Sequence, residues 1–117
     1  AAAERALQDF EVEPGNLALA ISEYRLTISW LESLEDPPEM YEKSRTQLLN
    51  AERLLEEKIT NLKNLGRINR SAKRYSQAIE SLEMIKKFQP NKRHDDHIYA
   101  NRQITVMQDK LRKQGKK

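Results

Sequence analysis

No cysteine occurs among the 117 residues, so disulfides, thiol nucleophiles and cysteine-ligated zinc are excluded. A chain without thiols tolerates either redox environment and gives no hint of compartment. Glycine and proline are almost as sparse, with three and four copies, so few positions oblige a helix to stop. Aromatic residues are also few. No apolar run approaches the roughly 18 residues of a membrane span. The longest candidate, Asn16 to Trp30, is interrupted by Glu23 and Arg25.

What is present favours helix. Leu, Glu, Lys, Arg and Gln dominate, with few β-branched runs, and the expected fold is all-α. Hydrophobic content of 38% is below the globular average and charged content of 33% is above it, so the core is modest. The length suits a single helical domain over 1–113, with residues 114–117 as a fraying tail. A chain that begins at Ala1 is expected to be a processed or excised form, which leaves its localisation open.

Charge is unevenly distributed. Residues 1–59 carry 6 Lys/Arg against 13 Asp/Glu, a balance of −7. Residues 60–117 carry 15 against 5, a balance of +10, which together give the net +3. Such a dipole steers an acidic partner to the C-terminal half, or pairs two copies into a homodimer; otherwise it only keeps two faces solvated.

Apolar spacing divides the chain into five helices. Ala3, Ala6, Leu7 and Phe10 mark the first, ended by Glu13-Pro14-Gly15-Asn16. Leu17, Ala20, Ile21, Tyr24, Ile28 and Leu31 form the stripe of the second, and Leu26 and Trp30 predict burial on another side. Asp36-Pro37-Pro38-Glu39 is a start signal, with Asp36 as N-cap and proline in the first turn. A long helix follows from about Pro38 to about Ala72, roughly 50 Å at 1.5 Å per residue; a break near Asn50 or Asn61 is the alternative. Tyr75 to Phe88 makes the fourth. The fifth is capped by Asn91 or Asp95 and runs to about Arg112, with Ala100, Ile104, Met107 and Leu111 as its apolar stripe.

The stretch Leu62, Leu65-Gly66, Tyr75, Ala78-Ile79, Leu82, Ile85, Pro90 resembles a tetratricopeptide repeat. That pattern runs W-x2-L-G-x2-Y, then A-x3-F, then P over 34 residues. Leu62 stands in the tryptophan position, Asn69 in that of the tyrosine and Leu82 in that of the phenylalanine. A weaker copy lies in 1–34, around Leu7, Gly15, Ala20-Ile21 and Tyr24. The resemblance implies a tetratricopeptide-like array of antiparallel helix pairs: a good unit over 60–93, a capping helix over 92–112 and one long central helix. It further implies that small side chains at Gly66 and Ala78 allow two helices to pack closely.

In such repeats the first helix of each pair lines a groove. The resemblance assigns that role to Lys63, Asn64, Arg67 and Arg70, cationic and amide donors suited to carboxylates. The implied partner is a protein or peptide, acidic in character. A plain solvated helix face is the competing reading, as an ordinary antiparallel bundle is for the repeat itself.

Other chemistry finds little support. His94-Asp95-Asp96-His97 could share a metal ion, but acidic residues belong in a first helical turn anyway, and no metal or other cofactor is expected. No phosphate loop, nucleophile elbow or HExxH occurs, so no catalytic residue is assigned. The basic half raises nucleic acid as a partner, disfavoured because aromatics are not interleaved. A membrane-surface role for the last helix is disfavoured by an apolar face without Trp or Phe. The expectation is therefore a non-catalytic interaction module, with a self-associating bundle or a basic nucleic-acid binder as alternatives.

Overall fold

The structure is a computed structural model in which residues 13–34 and 39–115 are described. Among these residues there are four helices and no strand: α1 (Gly15–Glu32), α2 (Met40–Ser71), α3 (Tyr75–Phe88) and α4 (Asp95–Gln114). The helix expected over 1–12, and Asp36, Pro37 and Pro38 of the start signal, lie outside the described residues. The expected long helix is present as α2, uninterrupted at Asn50 and Asn61. The polypeptide groups into two compact units, Ala1–Glu56 and Glu57–Lys117.

In the first unit, α1 buries Leu17, Ala20, Ile21, Tyr24, Ile28 and Leu31, one stripe at three- and four-residue spacing. The facing part of α2 buries Ser44, Ala51 and Leu55. Half-buried Leu48 packs against Ala20 and Tyr24. Two side-chain bonds define the direction. The Tyr41 hydroxyl donates to Glu32 Oε1 at 3.0 Å, and Arg25 donates to Glu52 Oε1 at 3.3 Å. Partners advance on α2 as they retreat on α1, so the helices are antiparallel. The second buried side expected of α1 is absent: Leu26 is 66% exposed and Trp30 65%. Periodicity places residues on a common face, but a neighbour must still be there to cover it.

The second unit contains the end of α2, then α3 and α4. A Schellman motif ends α2, with Lys73 left-handed at φ 59°. The Lys73 amide donates to the Arg70 carbonyl at 3.0 Å and the Arg74 amide to the Asn69 carbonyl at 2.8 Å. The Asn69 side chain, nearly buried, accepts from Arg74 Nε at 3.1 Å and so fastens the turn a second time. Helix α3 then returns along α2, burying Ala78, Ser81, Leu82, Ile85 and Phe88. Helix α4 packs on α3 through His97, Ala100, Ile104 and Met107. Each fully buried Leu, Ile or Met side chain contributes about 1.5–3 kcal/mol relative to exposure.

The cap of α4 differs from the expectation. His94, rather than Asn91 or Asp95, is the N-cap, its Nδ1 accepting from the Asp96 amide at 3.1 Å. Asn91 instead accepts from the Arg93 amide within the preceding turn. A neutral imidazole has one acceptor nitrogen, so it can replace the usual carboxylate or hydroxyl. At the other end Gln114, expected in the tail, still belongs to the helix.

Candidate functional site

Lys63, Arg67 and Arg70 recur at spacings of four and three along α2, which places them on one side of the helix. The side chains meet α4. Lys63 Nζ donates to Asp96 Oδ1 at 2.7 Å and lies 4.9 Å from the centre of the Tyr99 ring. Arg70 donates to Gln103 Oε1 at 3.0 Å. Arg67 donates to the Asn64 side chain on its own helix. All four expected partner-binding residues are thus engaged within the chain, in three different ways.

The two cross-helix bonds share a sequence separation of 33 residues. Moving seven residues along α2, from Lys63 to Arg70, moves the partner seven residues along α4, from Asp96 to Gln103. Both steps advance about 10.5 Å in the same sense. The end of α2 and α4 therefore run parallel and in register, with α3 returning between them in sequence.

Between these helices lies a shallow hollow lined by Lys63, Arg67 and Arg70, by Gly66, Leu82 and Met107, and by Tyr99 and Gln103. It has room for one water molecule at most. An acidic group would have to be held at its rim, because no side chain fits inside. Charge there is only partly balanced. Lys63 has a carboxylate partner, whereas Arg67 and Arg70 bond to neutral amides and keep their positive charge. Both guanidiniums are exposed.

The residues assigned to repeat packing are distributed as follows. Ala78 is fully buried and Leu82 nearly so. Gly66 is buried against Leu82, while Leu62 and Tyr75 are half-buried. Leu65 is 47% exposed and Pro90 is exposed, so neither adds to the buried set. At position 66 an added Cβ would lie 3.8 Å from Leu82 Cδ2, an ordinary contact, so the site admits a small side chain without demanding glycine.

Sequence reasoning missed Asp96, Tyr99 and Gln103 as neighbours of the basic row. No local pattern marked them, because the pairing depends on how α4 is set beside α2, an offset of 33 residues. Both histidines of the His94–His97 cluster have structural duties: His94 caps α4, and buried His97 donates from Nδ1 to the Gln89 carbonyl at 2.7 Å. Among the described residues no group of three or more His, Cys, Asp or Glu side chains is arranged to hold a metal ion. No helix among them is long and apolar enough to cross a membrane.

The class these observations define is an all-helical bundle with a cationic surface between two parallel helices. No family model, curated protein or solved structure matches the chain.

Proposed function

We propose that the protein is a non-catalytic, tetratricopeptide-like interaction module that holds an acidic peptide against the surface shared by α2 and α4. The single observation supporting this reading is the in-register, parallel pairing of those helices at a constant 33-residue offset. A repeat of about 34 residues stacks equivalent first helices side by side, which generates such an offset. Arg67 and Arg70 are the anion-holding residues in this reading, because their present partners are neutral. Lys63 contributes less, since Asp96 already compensates it. Asn64 orients Arg67.

Exposed guanidiniums grip carboxylates in a bidentate manner but remain screened by water and salt, so affinity is modest and salt-dependent. The test is fluorescence anisotropy with a labelled Glu-rich peptide against the intact protein and the Arg67→Glu/Arg70→Glu variant. Binding should weaken by about tenfold or more in the variant and fall with added salt. Equal binding by both proteins would refute the proposal. A parallel titration with random-sequence duplex DNA distinguishes the nucleic-acid alternative, which predicts tighter binding to DNA than to peptide and a steep negative salt slope.

A further inference from the structure

The exposed side of α1 carries Leu19, Leu26 and Trp30, at offsets of seven and four residues, within a narrow sector of the helix surface. Between and beside them stand Ser22, Ser29 and Ser33, all exposed. The strip carries no free charge in a chain that is one-third charged. Glu23 borders one edge and is half-buried, while Arg25 borders the other, beside Ser22 and Ser29, and is tied to Glu52.

We propose that this strip of α1 is an interface with a second copy of the same chain, paired antiparallel about a two-fold axis at Leu26. The strip is complementary to itself. An antiparallel pair centred on Leu26 sets Leu19 opposite Ser33, Ser22 opposite Trp30, and Leu26 opposite its own counterpart. Large side chains thus meet small ones on both sides of a central Leu26 pair, as close helix packing favours. Charge matching points the same way. A charged partner would leave its charges unpaired against this surface, whereas a second copy presents an equally uncharged strip, with Glu23 and Arg25 only at its edges. An anionic bilayer would call for several Lys and Arg beside the apolar face, and α1 offers only Arg25, which is already paired with Glu52.

Size determines strength. An 18-residue helix is about 27 Å long, and a strip about 10–12 Å wide covers roughly 300 Å² per copy. Standard complexes bury about 800 Å² per partner, so the dimer is weak and concentration-dependent. The drive is apolar, and added salt leaves it intact.

Sedimentation velocity of the full chain, from about 5 µM to about 500 µM, should reveal a rising dimer fraction. Leu26→Glu and Leu26→Lys should each weaken association about tenfold or more, because the two-fold axis sets like charges face to face. An equimolar mixture of these variants should restore it as a mixed dimer. Leu26 is mostly exposed, so both variants should keep the helical circular dichroism of the parent. The cysteine-free chain permits a second readout. Leu26→Cys should oxidise to a covalent dimer faster than Leu49→Cys, whose side is 64% exposed on α2. A parent that stays monomeric over this range overturns the proposal. So do a Leu26→Glu variant that associates like the parent, equal oxidation of the two cysteine variants, and a dimer that dissociates in high salt.

Discussion

Lys63 and Asp96 lie 33 residues apart in the chain, and their side chains meet at 2.7 Å with Tyr99 beneath the ammonium. Asp96 therefore does two things: it stands in the first turn of α4, where a carboxylate suits the helix dipole, and it neutralises one of three clustered cations. Replacement by asparagine keeps the shape and removes the charge. Asp96→Asn should lower stability by up to about 1 kcal/mol in denaturant unfolding, since the pair is partly solvated. The same variant should bind a Glu-rich peptide several-fold more tightly, because Lys63 is released. Unchanged peptide affinity would show that Lys63 has no share in the site.

Gly66 is a position where the repeat pattern implies a small side chain, and the packing there leaves room for a methyl group. Gly66→Ala places a methyl group in ordinary contact with Leu82 and removes the conformational cost of glycine inside a helix. A gain of about 0.5–1 kcal/mol should follow, seen as a rise in thermal midpoint of a few degrees. Gly66→Leu should instead lose about 1–3 kcal/mol through overpacking. A loss of stability with alanine would restore the close-approach argument.

Lys73 occupies the left-handed position that closes α2, where a Cβ is strained and glycine is not. Lys73→Gly should stabilise the protein by about 0.5–1 kcal/mol, and Lys73→Val should destabilise it by a similar amount or more. Urea unfolding of the two variants beside the parent gives the comparison. The Lys73 side chain is exposed, so the backbone effect is read cleanly.

Tyr41 ionises above its ordinary value of 10.0, chiefly because its hydroxyl donates to Glu32, with partial desolvation and the Glu32 charge adding to the effect. The neutral phenol is favoured in the folded state. Its contribution to stability is therefore present below the unfolded value and is lost as pH rises through the folded one. In Glu32→Ala the Tyr41 midpoint, followed by NMR of ring-labelled tyrosine, should move down towards that of free tyrosine. An unchanged midpoint would mean that the hydrogen bond is not formed in solution.

Much of this architecture is legible in the sequence. The bounds of α3 coincide with those read from Tyr75 and the Gln89-Pro90 stop, and the long α2 follows from the lack of any breaker before Gly66. The inward stripe of α1 is also visible as spacing. What spacing does not reveal is which stripe finds a neighbour. Leu26 and Trp30 have the same periodic signature as the residues that are buried, and they face outward. The cap on α4 was also illegible, because a histidine acceptor has no distinctive pattern.

Composition and local order determined that the described residues are helical and where α1, α2 and α3 lie in the sequence, because hydrogen bonds four residues apart and turn preferences act over short stretches. The tertiary structure alone decided which cations are spent on internal partners and which keep their charge. Those pairings join residues 33 positions apart, and only helices folded back beside one another can bring such residues within reach.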